Sequence, residues 1–245
     1  KVEQIYTGCL AEAAYYIQSE GEAAVIDPLR DPKPYIERAK KDNAQIKYVL
    51  LTHFHADFVS GQLDLAKETG ATIVLGPTAK PGYDALIATD GEELKIGNTT
   101  LKVLHTPGHT MESSTYLLKD VTGKDHCIFT GDTLFIGDVG RPDLAVKTDL
   151  TKEDLAGHLF DSLRSKIMPL DDEVIVYPNH GAGSACGKNM SKETFATLGN
   201  QKATNYALRA DMTKDEFVEE LLDGIAPPPQ YFPKNAAINR SGQME

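Results

Sequence analysis

The sequence predicts an α/β fold, in which short buried strands alternate with amphipathic helices. Apolar runs at 46–51, 71–75 and 174–177 have the length of buried strands, and helix-like segments separate several such runs along the chain. Four of the predicted strands also end in a loop that carries a histidine or an aspartate. Ligand sites of α/β sheets form beyond the carboxyl ends of strands, so the same pattern predicts a functional site.

The amino-terminal elements follow from turn and cap residues. Residues 4–28 are strand-like, and Ser19-Glu20-Gly21 divides them with a hairpin turn signal. Asp31-Pro32 then opens a helix, because proline suits a first helical turn. The apolar strand at 46–51 comes next. A helix from about Ser60 to Glu68 follows it and is closed by a glycine.

The later elements are mostly strands. Alternating apolar and polar residues over 101–105 predict a half-buried strand, and further strands are expected at 114–118, 126–130 and 173–177. A capping box, formed by Thr213 and the glutamate three residues later, opens a helix near the carboxyl end.

We expect one domain over residues 1–245. Residues 227–245 form a proline-rich tail with little hydrophobic periodicity. This tail either packs on the domain or begins a linker to a further domain.

Composition excludes several classes of partner. A formal net charge of −11 argues against nucleic acid and anionic membranes, which need clustered lysine and arginine. No apolar run reaches the roughly 18 residues that a membrane span needs. The three cysteines are widely spaced and form no CxxC pair, which suits a reducing compartment. We therefore expect a cytoplasmic protein, bacterial above all, with the mitochondrial matrix as the alternative compartment.

The strongest functional signal is the segment THFHAD at 52–57, which follows an apolar strand. Imidazole binds zinc and iron well, and a carboxylate adds charge and a hard oxygen donor. Side chains two residues apart on extended backbone point the same way, so His53 and His55 can face one cavity. Three later strands end similarly, in His109, Asp132 and His180. The complete set predicts a metal site.

Four segments carry a resemblance to a known family. They are THFHAD at 52–57, HTPGHT at 105–110, FTGDTLF at 129–135 and YPNHG at 177–181. Together they resemble the ordered motifs of the metallo-β-lactamase superfamily, over roughly residues 4–187. The resemblance implies a metallo-β-lactamase fold, a four-layer αβ/βα sandwich with its metal site at one edge between two central sheets.

Two longer segments resemble one branch of this superfamily. GDTLFIGDVGRPDL at 131–144 and YPNHGAGSACGK at 177–188 are similar to the persulfide dioxygenases, especially the forms fused to a rhodanese domain. This branch is related to glyoxalase II. The resemblance implies that a rhodanese domain acts with this chain, either fused after the tail at 227–245 or as a separate protein.

The branch implies one Fe(II) per chain, held by His53, His109 and Asp132 as a two-histidine, one-carboxylate triad. The remaining motif residues, His55, Asp57 and His180, would then surround and orient these ligands. One departure agrees with a single metal. Dinuclear glyoxalase-type sites have a second-metal histidine directly after the motif aspartate, whereas Asp57 is followed by Phe58.

The implied reaction oxidises a low-molecular-weight thiol persulfide, such as that of glutathione, with O2 to sulfite and free thiol, in sulfide detoxification. Arg141 is a candidate ligand for a substrate carboxylate or, alternatively, part of a structural ion pair. Tyr177 either lines the thiol pocket or belongs to the core, and Phe58 adds an apolar wall. Cys186 is a candidate sulfur relay if it lies at the site mouth, and otherwise an inert buried thiol.

Two alternatives compete with the dioxygenase. The first is a zinc-dependent thioester hydrolase of the glyoxalase II type, which uses metal-bound hydroxide. The second is a sulfur- or redox-sensing metalloprotein with low turnover. We also expect a homo-oligomer, since most soluble oligomers are homo-oligomers.

Overall fold

Two six-stranded sheets face each other at the centre of the structure, a computed structural model that describes residues 1–243. In both sheets the strands lie side by side in chain order. The first sheet contains β1 (Val2–Thr7), β2 (Glu12–Ser19), β3 (Glu22–Ile26), β4 (Gln45–Leu50), β5 (Thr72–Leu75) and β6 (Leu86–Ile87). The second contains β7 (Glu93–Ile96), β8 (Thr99–His105), β9 (Ser114–Lys119), β10 (Asp125–Gly131), β11 (Ile175–Pro178) and β12 (Ala196–Thr197).

Helices lie outside the two sheets. Over the described residues they are α1 (Lys33–Lys41), α2 (Gln62–Thr69), α3 (Lys152–Ser162), α4 (Leu198–Thr204), α5 (Lys214–Leu222) and α6 (Phe232–Ser241). A π-helical turn at Leu163–Ile167 extends α3, and a short 3-10 helix covers Tyr206–Leu208. Over residues 1–243, none of these helices has the length and apolar character needed to cross a bilayer.

Alternation along β2 shows how the layers are built. Tyr15 and Ile17 pack between the two sheets, whereas Tyr16 points outward into the cluster formed with α1 and α2. Phe129 of β10 joins the central layer from the other sheet. The outer face of that sheet is covered by α3 and α5, which contribute Leu159 and Phe217. The structure therefore confirms the four-layer α/β sandwich.

Strand direction places the predicted loops at one edge. β3, β4 and β5 are mutually parallel, as are β10 and β11, so their carboxyl ends point the same way. At this edge the two sheets are joined by backbone hydrogen bonds. The Ala13 amide donates to the Asn179 carbonyl at 2.7 Å, and the Gly181 amide donates to the Ala11 carbonyl at 2.9 Å. The loop after β11 is thus tied to the start of β2.

Most predicted elements are confirmed. Glu20 and Gly21 both have positive φ, as a two-residue type I′ hairpin turn requires. Thr213 accepts from the Glu216 amide at the start of α5. The sequence prediction missed α3, although a capping box opens it. Its apolar stripe is interrupted by Gly157 and His158, which have weak helix propensity.

The proline-rich tail packs on the domain. Over residues 232–241 it forms α6, while a further domain after the tail stays a prediction. Phe232 is buried against Phe135 and Cys186. Sequence periodicity could not reveal α6, because its only buried residues are Phe232 and Asn239, and Asn239 is polar.

Asn239 is held entirely by hydrogen bonds. Its side-chain amide Nδ2 donates to the carbonyl oxygens of His55 and Phe58, at 2.8 Å each. Its Oδ1 accepts from the Ser60 amide at 3.0 Å. Helix α6 therefore fixes the loop that carries the His-x-His-x-Asp segment.

Replacing Asn239 with alanine should destabilise the protein by roughly 2–4 kcal/mol, because it leaves two buried carbonyl groups without donors. The midpoint of urea unfolding measures this loss. Asn235→Ala on the same helix is the matched control and should change stability by less than about 0.5 kcal/mol. Equal midpoints for the two variants would contradict the role of Asn239.

Candidate metal centre

Four buried side chains converge where strand ends of both sheets meet. His53 follows β4, His109 follows β8, Asp132 follows β10 and His180 follows β11. Gly131, just before Asp132, has a φ of +55°, and a Cβ at that position would lie 2.5 Å from Thr52 Oγ1. Glycine is needed there, because the β10 loop crosses close to the β4 loop.

Three donor atoms face one point. His109 Nε2 lies 3.1 Å from Asp132 Oδ2, and His53 Nε2 lies 3.5 Å from the same oxygen. The ligand atoms of these residues all lie within 4.8 Å of one another. The loops therefore bring together the three residues that the family resemblance implied as ligands.

Hydrogen bonds fix how both imidazoles present their Nε2 atoms. His109 Nδ1 donates to the carbonyl oxygen of Arg141 at 2.8 Å. Thr52 uses its hydroxyl proton on Asp27, so at 3.0 Å it can only accept from His53 Nδ1. Each Nδ1 therefore carries a proton, and in the neutral imidazole each Nε2 directs a lone pair toward Asp132.

This arrangement fits a divalent metal. Asp132 Oδ2 is buried without a hydrogen-bond partner, although two imidazole nitrogens converge on it. Burial alone would raise the pKa of Asp132, but the surrounding histidines, His180 first, hold it well below its usual range. Burial lowers the pKa of His53 well below its usual value, which keeps that ring neutral. A cation would satisfy this set of two nitrogens and one carboxylate oxygen.

His55 lies beside this group, and its Nδ1 is buried without a hydrogen-bond partner. Its ring centroid is 4.3 Å from that of His53, and its Nε2 hydrogen-bonds with Asp27 Oδ1 at 2.9 Å. Asp27 also accepts from the amide of Thr52 at 2.8 Å. Sequence reasoning missed Asp27. The available signal was its place at the end of the strand-like run AAVI, the same pattern that revealed the other site residues.

His180 links two carboxylates. Its Nδ1 and Nε2 lie 2.7 Å from Asp132 Oδ1 and from Asp57 Oδ2, respectively. Burial alone would lower the pKa of His180, but Asp132 and Asp57 raise it well above its usual value. The ring therefore donates to both carboxylates and orients the oxygen of Asp132 that does not face His53 and His109.

A second group of potential ligands lies behind the first. Asp57, His180 and Cys186 have ligand atoms within 4.8 Å of one another. Both ring nitrogens of His180 are already engaged, however, and burial raises the pKa of the Cys186 thiol. The buried thiol packs near Phe135 and Phe232. Cys186 is therefore buried, which favours the inert buried thiol over the accessible sulfur relay.

Arg141 forms a structural ion pair. Its Nε and Nη2 bind the two oxygens of Asp143 at 2.7 and 2.8 Å, and its Nη1 donates to the Ala185 carbonyl at 3.1 Å. Nη2 also donates to the Ala226 carbonyl. These bonds occupy most of the guanidinium donors, which favours the structural ion pair over a ligand for a substrate carboxylate.

Tyr177 and Phe58 also pack against other side chains of the protein. Tyr177 stacks on Phe129 with ring centroids 5.7 Å apart and packs on the layer between the sheets, so the core alternative holds. Phe58 is buried against His55, with centroids 4.6 Å apart. It forms an apolar wall beside the motif, but neither residue lines the cleft next to the metal centre.

That cleft has a volume of about 590 Å³. This size suits a small-molecule site, which typically measures roughly 300–1,000 Å³. His109 and Thr110 reach it from the metal centre, and apolar walls come from Met111, Leu144 and Phe232. Helix α6 therefore supplies part of the candidate substrate pocket.

Glu12 is a second residue that sequence reasoning missed. It is buried beside the seam between the sheets, where its Oε1 accepts from Asn179 Nδ2 at 3.1 Å and its Oε2 has no partner. Burial raises the pKa of this carboxyl group well above its usual value. No residue pattern around Glu12 indicated burial, because it opens β2 next to a turn.

Comparisons with known proteins agree with this geometry. The family model described as "Metallo-beta-lactamase superfamily" matches residues 7–180. Hydroxyacylglutathione hydrolase GloC from Haemophilus influenzae is 29% identical over 198 residues, which cover 72% of this chain and 88% of that protein. A metallo-beta-lactamase structure from Staphylococcus aureus has a TM-score of 0.90 and 35% identity, covering 100% of this chain and 73% of its own. ETHE1 from Myxococcus xanthus has a TM-score of 0.82 and 27% identity, covering 99% of both chains.

The substitution Asp27→Asn should weaken metal binding by roughly 10- to 100-fold, because the partner of Thr52 and His55 loses its charge and one acceptor. Metal competition with a coloured chelator measures this change. Asp64→Asn, at an exposed position on α2, is the control and should bind metal as the unaltered protein does. Identical affinities for the two variants would show that Asp27 does not position the site.

Replacing Glu12 with glutamine should stabilise the protein, and the gain in stability over the unaltered protein should increase with pH. The folded state keeps a proton on Glu12 that the unfolded state releases above about 4.5, so stability falls as pH increases through that window. We expect the melting temperature of Glu12→Gln to exceed that of the unaltered protein by at least about 2–4 °C near pH 8, with a smaller difference near pH 5. Exposed Glu37→Gln is the control. A difference independent of pH would contradict the raised pKa.

Proposed function

This chain belongs to the metallo-beta-lactamase superfamily, and we propose that it is an Fe(II)-dependent persulfide dioxygenase. The proposed reaction converts a low-molecular-weight thiol persulfide, O2 and water into free thiol and sulfite. The sulfane sulfur gives up four electrons, which reduce O2. The resemblance of residues 131–144 and 177–188 to persulfide dioxygenases supports the proposal, and the ETHE1 structure matches 99% of this chain.

The proposal rests on the three atoms that could bind the metal. Two imidazole nitrogens and one carboxylate oxygen, from His53, His109 and Asp132, converge in a buried pocket. This is the two-histidine, one-carboxylate combination of non-haem Fe(II) oxygenases. We assign these three residues as the ligands of one iron per chain.

The surrounding residues favour one metal over two. His180 donates both ring protons to carboxylates, and His55 uses Nε2 on Asp27. Phe58 occupies the position after Asp57 and contacts the His55 ring, which leaves no donor there. We therefore place His55, Asp57 and His180 as residues that orient the ligands.

Held by His53, His109 and Asp132, Fe(II) would supply redox chemistry and an affinity for a soft sulfur ligand and O2. The chain itself contributes position and environment. His180 holds the Asp132 carboxylate in a fixed orientation. The apolar walls at Met111, Leu144 and Phe232 can hold the organic part of the persulfide and exclude water from the reacting sulfur.

A zinc-dependent thioester hydrolase is the second candidate. The similarity to hydroxyacylglutathione hydrolase GloC, which covers most of that protein, favours it. Both candidates use a glutathione-type thiol, and they differ in metal content and in the bond that changes. A sensor of low turnover would share the metal but would not sustain catalysis.

Protein purified without oxygen should contain about one iron per chain and should consume O2 steadily when glutathione persulfide is added. Metal analysis and an oxygen electrode test this. Asp132→Asn should lose both properties, because the ligand set loses its negative charge, whereas the control His126→Gln, on the exposed side of β10, should retain them.

Two zinc ions per chain with hydrolysis of S-lactoylglutathione and no O2 uptake would replace the dioxygenase with the hydrolase. A single oxygen-consuming turnover would indicate the sensor.

A further inference from the structure

Three cations lie at the rim of the cleft beside the metal centre. Lys80 follows β5, Lys147 precedes α3, and Arg240 lies in the last turn of α6. All three are exposed, whereas His109 and Phe232 in the same cleft are buried. The cleft therefore leads from a proposed metal ligand at its base to a group of positive charges at its rim.

The described carboxylates do not neutralise these cations. Over residues 1–243, no carboxylate pairs with Lys80, Lys147 or Arg240. Both carboxylates of the cleft lining are engaged elsewhere, since Asp143 binds the Arg141 guanidinium and Glu112 accepts from the Phe54 amide at 3.0 Å. In a chain with a net charge of −11, this rim is locally positive.

Two of the cations are held close together by their backbones. The Gly82 amide donates to the Arg240 carbonyl at 2.8 Å, and a Cβ on Gly82 would lie 2.5 Å from the Ser241 carbonyl oxygen. The segment 80–82 therefore packs directly on the end of α6. This contact sets Lys80 and Arg240 on neighbouring backbones at the same side of the cleft.

We propose that Lys80 and Arg240 form an anion subsite that binds the acidic group of the thiol carrier. This inference rests on the proposed function and specifies its substrate class: a thiol that carries a carboxylate or a phosphate, rather than a neutral or cationic thiol. The Arg240 guanidinium can bind either anion through two parallel hydrogen bonds, and Lys80 adds a point charge. The apolar walls then separate the anion at the rim from the sulfur at the metal centre.

The test measures binding of unreactive probes to the metal-loaded protein by calorimetry without oxygen. S-methylglutathione carries carboxylates, its dimethyl ester lacks them, and S-methyl-coenzyme A carries phosphates. Lys80→Gln and Arg240→Gln each remove one charge of the subsite. Lys234→Gln is the matched control, because Lys234 is an exposed cation of α6 outside the cleft lining.

We expect at least one acidic probe to bind, and to bind roughly three- to tenfold more weakly to Lys80→Gln and to Arg240→Gln. Lys234→Gln should change binding by less than about twofold, and added salt should weaken the acidic probe but not the ester. If S-methylglutathione shows this pattern, the natural anion is a carboxylate. If S-methyl-coenzyme A shows it, the natural anion is a phosphate. Equal binding of ester and acid, unchanged binding in both subsite variants, or no binding of either acidic probe would overturn the subsite.

The outcome is separable from that of the dioxygenase proposal, because the probes are thioethers and bind without turnover. Charge-dependent binding without O2 uptake on glutathione persulfide would contradict the dioxygenase and retain the anion subsite. O2 uptake with an unchanged KM in Lys80→Gln and Arg240→Gln would retain the dioxygenase and contradict the subsite.

Discussion

The buried carboxylate of Asp132 is the constraint on which the rest of the site depends. One of its oxygens accepts from His180, while the other faces two imidazole nitrogens and has no hydrogen-bond partner. A buried charge with an unsatisfied oxygen is costly unless a cation neutralises it. Metal binding is therefore the physical explanation of this cluster. The proposed ligands all follow strand ends. Rigid sheets hold the three donors close together before any metal binds.

The support of this cluster comes from distant parts of the chain. Asp27, at the end of β3, holds Thr52 and His55 at the end of β4. Asn239, near the carboxyl end, holds the carbonyl groups of His55 and Phe58. The His-x-His-x-Asp loop is thus fixed from two sides, and α6 joins this support to the wall and rim of the cleft. The helix that supports the loop therefore also lines the cleft.

Sequence reasoning picked out the residues that converge in the structure, but it could not show what the residues beside them contact. The metal-facing residues share a visible pattern, since each follows an apolar strand directly or within a short loop. Arg141, Tyr177 and Cys186 were considered because they lie near these motifs in sequence. Arg141 pairs with the neighbouring Asp143, but its other partners are the distant carbonyl groups of Ala185 and Ala226. Tyr177 and Cys186 likewise pack on Phe129 and Phe232, which other segments bring into place. Conversely, Lys80 and Arg240 are 160 residues apart in the chain. Nothing in their local sequence indicates that they meet at one cleft.

By itself, the sequence determined the α/β class, the strand ends that carry histidine and aspartate, and the resemblance to the superfamily. These features are local: hydrophobic period, turn chemistry and motif spacing are all written within short segments. Only the tertiary structure decided which nitrogen of each histidine faces Asp132, that the thiol of Cys186 is buried, and that the tail folds back as α6. Each of these depends on hydrogen bonds and packing between segments far apart in the chain. Such contacts have no period or spacing that a single sequence can display.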